Sequence, residues 1–222
     1  TIAFLVIDIA FFSANMLKVL HGGWFPLLVA LIVYIIMATW KHGRSLVARQ
    51  LQHRLMPEET FMQSLNRTPP ARIPGTAVYL TGSPTGIPLA LVHNLKNNQV
   101  LHERAILLTL VTEHLPHVAP QDRVEQSDLG LGIHRVIARY GFKEERHVPS
   151  LLEPLSVADS PVDSTVTTFY LSRETLISSG RGGMWRWRKR IFAALARNAV
   201  PATAFFGLPR GQVVEIGAQI EL

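Results

Sequence analysis

The sequence predicts a membrane-embedded all-α segment followed by a cytoplasmic α/β or α+β domain. Three observations carry this. Apolar residues crowd the first part of the chain, basic residues follow them at once, and from Thr76 onward strand-like and helix-like stretches alternate. Of 222 residues, 48% are hydrophobic, and the positive mean hydropathy of +0.20 arises largely from that first part, which argues against a simple soluble domain.

Thr1 to Leu20 reads TIAFLVIDIAFFSANMLKVL. At about 1.5 Å per residue such a helix covers roughly 30 Å, the thickness of a hydrocarbon core. After His21-Gly22-Gly23, the run Trp24 to Trp40 is uncharged and has tryptophan at both ends. Indole rings prefer the headgroup region, so the two rings read as interface anchors. Residues 1–41 are therefore expected to form two transmembrane helices, at about 1–20 and 24–40, joined by the Gly22-Gly23 turn. Thr1 already lies inside an apolar run, without the basic start or cleavage site of a signal peptide, so further helices of the same protein are expected upstream.

Lys41, Arg44, Arg49 and Arg54 follow the second span with no acid before Glu58. By the positive-inside rule, everything after Trp40 is cytoplasmic. The formal charge of +6 suits either nucleic acid or anionic lipid. The densest basic segment abuts a membrane helix, so the expected partner is the lipid bilayer and not nucleic acid. Within the first span, Asp8 and Asn15 lie on nearly one helix face. An intramembrane carboxylate is expensive and should face protein or water. Asp8 is either a residue of an ion path or a packing contact with a helix outside this chain.

Residues 42–73 read as an amphipathic helical linker. Leu46, Val47, Leu51 and Leu55 recur at helical spacing, and Pro57 with Glu58 and Glu59 suits the first turn of a short helix ending near Leu65. Thr68 to Gly75 (TPPARIPG) reads as an irregular boundary. Residues 74–222 then form the cytoplasmic domain. Strands are predicted at Ala77–Leu80, Arg104–Thr112, Ile133–Tyr140, Thr165–Leu171 and Val213–Ile220, helices at Pro88–Asn97 and Met184–Asn198, and a surface loop over Asp159–Ser164.

The chain has no cysteine, which excludes disulfides, thiolate metal sites and thiol catalysis in these residues. None of its nine histidines falls into a zinc spacing: His93 and His102 straddle a helix-to-strand turn, and His114 and His117 flank Pro116 in a loop. No metal site, cofactor or catalytic residue is expected, and no G-x-S-x-G or paired carboxylate points to an enzyme. Three other stretches stand out. His93, Asn94, Lys96, His102, Glu103 and Arg104 form a dense polar cluster, read as a turn with a local ion pair or as a domain contact. Gly82-Ser83-Pro84-Thr85-Gly86 lies between a strand and a helix, read as a turn or as a phosphate cradle. In Gly180 to Arg190 (GRGGMWRWRKR), Trp185 and Trp187 interleave with Arg186, Arg188, Lys189 and Arg190, a mixture suited either to lipid headgroups or to a helix packed on the sheet.

Four phrases together resemble the KUP/HAK/KT potassium uptake family in its bacterial Kup form. They are Ala14-Asn15 with Lys18, Gly22-Gly23-Trp24, Pro26 and Thr39-Trp40-Lys41; Arg72-Ile73-Pro74-Gly75-Thr76-Ala77-Val78-Tyr79; His93-Asn94-Leu95-Lys96 with Asn98 and Leu101-His102-Glu103-Arg104; and Val213-Val214-Glu215-Ile216-Gly217 with Gln219. The resemblance implies the last two helices and the cytoplasmic domain of an amino-acid-permease-like transporter of about twelve helices in the bacterial inner membrane. It implies potassium import, with potassium and a proton as the transported ions and no other cofactor. The ion-binding residues would lie on the preceding helices, so none is carried over to this chain. A homodimer is a possible further partner. The alternative function is a membrane-anchored module that binds a nucleotide or a lipid headgroup.

Overall fold

The computed structural model describes residues 2–157, 160–177 and 183–221, which fall into two compact units. The first comprises residues up to Leu46 together with Gly183–Arg197; the second comprises Val47–Gly182 and Asn198–Leu222. Asp159 and Gly180–Gly182, the starts of two stretches singled out above, lie outside the described residues.

In the first unit, helix α1 covers Ile2–Lys18 and helix α2 covers Trp24–His53. Where a plain turn was expected, the chain stays helical through a π-type turn at Val19–Gly23. Gly22 sits there at φ +117°, a backbone conformation that side chains disfavour, and the N–H of Trp24 reaches back to the carbonyls of Val19 and Gly22. Helix α2 is long and apolar enough to cross a membrane, whereas α1 is a shorter apolar helix. Along α2 the apolar side chains face outward: Leu31 is 54% exposed and Tyr34 69%. The helix continues without a break through the basic residues to His53, as the spacing of Leu46, Val47 and Leu51 predicts. Helix α6, Arg186–Arg197, completes this unit.

The second unit is built on a six-stranded sheet. Helix α3 (Glu58–Arg67) starts one residue after Pro57, and strand β1 runs over Ala71–Thr81. The expected irregular stretch is thus strand from Ala71 onward. Pro74 and Gly75 are accommodated by a break in register between Ile73 and Thr76, the kind of bulge in which a missing N–H costs nothing. Next come α4 (Leu89–Asn98), β2 (Val100–Glu113), β3 (Val124–Gly130), β4 (Ile133–Gly141), α5 (Val148–Leu152), the short pair β5 (Ser156–Val157) and β6 (Ser160–Pro161), β7 (Thr168–Ile177), α7 (Ala202–Phe205) and β8 (Val213–Glu221).

The strand order is β3-β4-β2-β1-β7-β8. All neighbours are parallel except β3 and β4. Both faces of the sheet are covered, which is why β2 reads as an unbroken apolar run and not as an alternation. Ala105 and Leu107 pack with Phe61 and Leu65 of α3 and Ala90 and Leu91 of α4; Ile106 and Leu108 pack with Val148, Leu151 and Leu152 of α5. Strand β3 (VEQSDLG) escaped the sequence reading because it is an exposed edge with polar side chains and has no apolar face to alternate.

Candidate functional site

In α1, Asp8 and Asn15 are both exposed, as are their apolar neighbours. Among the described residues nothing partners them.

The polar cluster after α4 divides. Asn94 is buried at 1% exposure, and its amide donates to the Tyr79 hydroxyl at 3.2 Å and to the Val100 carbonyl at 3.0 Å. Asn98 donates to its oxygen at 2.8 Å. The end of α4 is thereby fastened to β1 and to the start of β2, with Gln99 in the left-handed region completing the helix stop. The Tyr79 ring stacks on Tyr170 at 4.6 Å, and His102 meets Tyr170 edge-on at 6.0 Å. Burial, and then the neighbouring Tyr170, push the Tyr79 hydroxyl well above the usual phenol range. Burial also lowers the affinity of His102 for a proton, and among the described residues its Nδ1 has no hydrogen-bond partner. Arg104 is a tether: it donates to Thr76 Oγ1 at 2.8 Å and to the carbonyls of Val157, Ser160 and Pro161. Glu103 and Lys96 are exposed and His93 is half-buried. The cluster therefore divides into Asn94 and His102, buried beside Tyr79 and Tyr170, a half-buried Arg104 tied to the β5–β6 pair, and three side chains open to solvent to differing degrees.

The loop Gly82–Gly86 follows β1, and the chain runs from β1 first to β2 and β4 on one side and later to β7 and β8 on the other. This is a topological switch point, where open α/β sheets usually bind ligands. Three of its four N–H groups are already engaged. Ser83 N–H donates to Thr81 Oγ1, Thr85 N–H to Ser83 Oγ, and Gly86 N–H to the Glu58 carboxylate at 3.1 Å. The cradle reading required open N–H groups, and a carboxylate from α3 takes the place an anion would need. That carboxylate pairs with buried Arg135 at 2.6 Å, and Arg135 also donates to the Gly86 carbonyl at 2.8 Å. Burial works to raise the Glu58 carboxyl, but the Arg135 guanidinium and the Gly86 N–H outweigh it and hold it below its ordinary value. Only half of this bracket is legible in the sequence, the acid in the first turn of α3. Nothing local links it to a strand far along the chain.

In the first unit, α6 meets the basic end of α2. Arg188 Nε–H donates to Thr39 Oγ1 and its Nη2 to the Ala38 carbonyl, each at 3.1 Å. Trp40 and Phe192 rings lie 5.6 Å apart, and Phe192 is 1% exposed. The close approach depends on Gly43, where a Cβ would stand 2.3 Å from the Phe192 ring. Six residues were read together as candidates to face lipid, and the helix separates them. Arg188 and Lys189 turn inward with Phe192, being four and three residues from it. Trp185, Arg186, Trp187 and Arg190 are exposed. The alternation of aromatic and basic residues hid this, because the sorting follows the helical period and not the order in the chain.

Among the described residues no group of three or more His, Asp or Glu side chains could hold a metal ion.

Comparison with known proteins covers both units. A family model described as the K+ potassium transporter integral membrane domain matches residues 1–45, and one described as the K+ potassium transporter C-terminal domain matches residues 74–222. A probable potassium transport system protein Kup 2 of Chromobacterium violaceum is 46% identical over 222 residues, all of this chain and 36% of that protein. A probable Kup protein of Myxococcus xanthus is 48% identical over 219 residues, 99% of this chain and 34% of its own length. One from Geobacter sulfurreducens, Kup 1, is 45% identical over 226 residues, covering 35% of its length. The chain thus spans about a third of the curated relatives it matches. No solved structure matches it.

Proposed function

The chain belongs to the Kup/HAK/KT family of potassium transporters, and on that premise we propose that it is the carboxyl-terminal part of a protein that imports potassium across the bacterial inner membrane. The observation that carries the proposal is the pair of family matches, membrane domain first and C-terminal domain second, in the order expected from the sequence. The proposed mode is symport with protons. The membrane potential and the proton gradient then supply the driving force, at about 2.3 kcal/mol per charge per 100 mV, and no phosphoryl chemistry is required. In this scheme the helices of this chain are scaffold, with ion-binding residues on preceding helices, and the sheet domain, which follows the basic end of α2 in the chain, lies in the cytoplasm.

Rubidium uptake by the complete protein, in bacteria stripped of their own potassium uptake systems, tests this. Uptake that falls when the pH gradient alone is collapsed, with the membrane potential held by a clamp of ionophore and salt, supports symport. Uptake indifferent to the pH gradient leaves potassium import standing and removes the proton. No uptake, despite verified insertion, removes the transport reading.

A further inference from the structure

The exposed side of α6 is unexplained by ion transport. Trp185 is 75% exposed and Trp187 44%, with their rings edge-to-face at 6.5 Å. Arg186 and Arg190, one helical turn apart, are exposed beside them. Large aromatic side chains normally leave water, and a pair left outside at a helix start is costly unless something covers it.

The geometry of the first unit says what covers it. The apolar side chains of α2 remain largely outward up to Met37, which is 65% exposed, a surface suited to hydrocarbon and to neighbouring membrane helices. Arg188 grips the next two residues, Ala38 and Thr39, and Phe192 fills the space opened by Gly43. At about 1.5 Å of rise per residue, the Arg188 grip lies within one turn of the end of the apolar surface and the Phe192 contact within two. The start of α6 is thus held at the level of the headgroups. Exposed Lys41 lies at the same height on α2. Indole rings favour this zone, and clustered guanidinium and ammonium groups beside it attract lipid phosphates. RNA would meet the same side chain types, but it offers no reason for them to be clamped to the rim of an apolar helix.

We propose that Trp185, Trp187, Arg186 and Arg190, with Lys41, form a seat for anionic phospholipid headgroups at the membrane rim, which fixes α6 against α2. The seat is independent of which ion the protein carries, so a negative uptake result leaves it untouched.

Hydrogen exchange on the full-length protein in lipid nanodiscs tests it. Each basic group near an anionic surface contributes a factor of about five, so exchange of the backbone amides of residues 184–190 should slow about tenfold or more when phosphatidylglycerol is added to phosphatidylcholine. Arg186→Gln with Arg190→Gln should abolish that difference, and Arg186→Lys with Arg190→Lys should keep most of it, since charge and not fork geometry is required. Exchange of β2 amides serves as the folding control. If the glutamine variant loses β2 protection, the wild-type lipid comparison and the lysine variant decide between them. Equal exchange in the two lipids overturns the seat. Equal protection by inorganic phosphate, or by an oligonucleotide, in pure phosphatidylcholine also overturns it in favour of that ligand.

Discussion

Leu31 and Leu107 are the same side chain in opposite circumstances. Leu31, on α2, is 54% exposed; Leu107, on β2, is fully buried between two covered faces of a sheet. Around Leu31 the neighbours are equally exposed, so the first unit has almost no interior of its own along the apolar half of α2. Around Leu107, contacts come from α3, α4 and adjacent strands. Apolar composition therefore does not say what solvent a segment meets. What separates the two is the length of the run: a few residues make a buried strand, whereas about twenty with tryptophan at the margins make a span. The first unit develops an interior only where α6 docks, at Thr39, Gly43 and Phe192, and there it resembles the sheet domain in miniature.

The contrast can be broken first at the sheet. Phe169 is fully buried against Val78, Leu171 and the α5 side of the core, so Phe169→Ala should destabilise the sheet domain by about 3–5 kcal/mol. Urea denaturation of the detergent-solubilised protein, with sheet amides followed by hydrogen exchange, would measure it. A loss below about 1 kcal/mol would mean that the sheet is not the closed core described here.

A smaller effect is expected at the miniature core. Gly43→Ala gains about 1 kcal/mol of helix propensity, yet its methyl group must displace the Phe192 ring, at a cost of about 1–3 kcal/mol. Amides of α6 should exchange several-fold faster while those of β2 are unchanged. Unchanged α6 exchange would mean that the helices do not meet at Gly43.

The smallest expected effect lies in the Glu58–Arg135 bracket. Because the folded-state carboxyl titrates below its ordinary value of 4.5, its contribution is in place above that value and fades as pH falls through the lower folded one. The pair is partly exposed, so Glu58→Gln should cost only about 1 kcal/mol near neutral pH. Stability curves of the variant and the wild type should converge as the pH falls below 4.5. Parallel curves would show that the carboxylate charge is irrelevant and that only packing holds α3.

The elements most legible in advance were those whose residues meet their environment in a simple period. Helix α3 after Pro57, the apolar β2 and the uncharged run of α2 are each readable because burial or lipid selects side chains at a regular spacing or over a continuous run. Strand β3 was not readable, since only backbone pairing to β4 holds its polar residues there. The bulge at Pro74-Gly75 was mistaken for a boundary because parallel pairing with β2 overrides two strand-breaking residues. Among candidate site residues, composition picked out Arg188 and Lys189 together with Arg186 and Arg190, but not which pair turns inward.

By itself, then, the sequence determined the division into an apolar helical part and a mixed α/β part, the basic margin between them and the family. These depend on local composition, on spacing and on phrases readable one after another. Only the tertiary structure decided that Glu58 occupies the Gly86 N–H, that Asn94 reaches Tyr79, that Arg104 ties β2 to the β5–β6 pair, and that Gly43 receives Phe192. Each of these joins residues far apart in the chain, and such pairings are fixed by how packed surfaces meet, which no local pattern encodes.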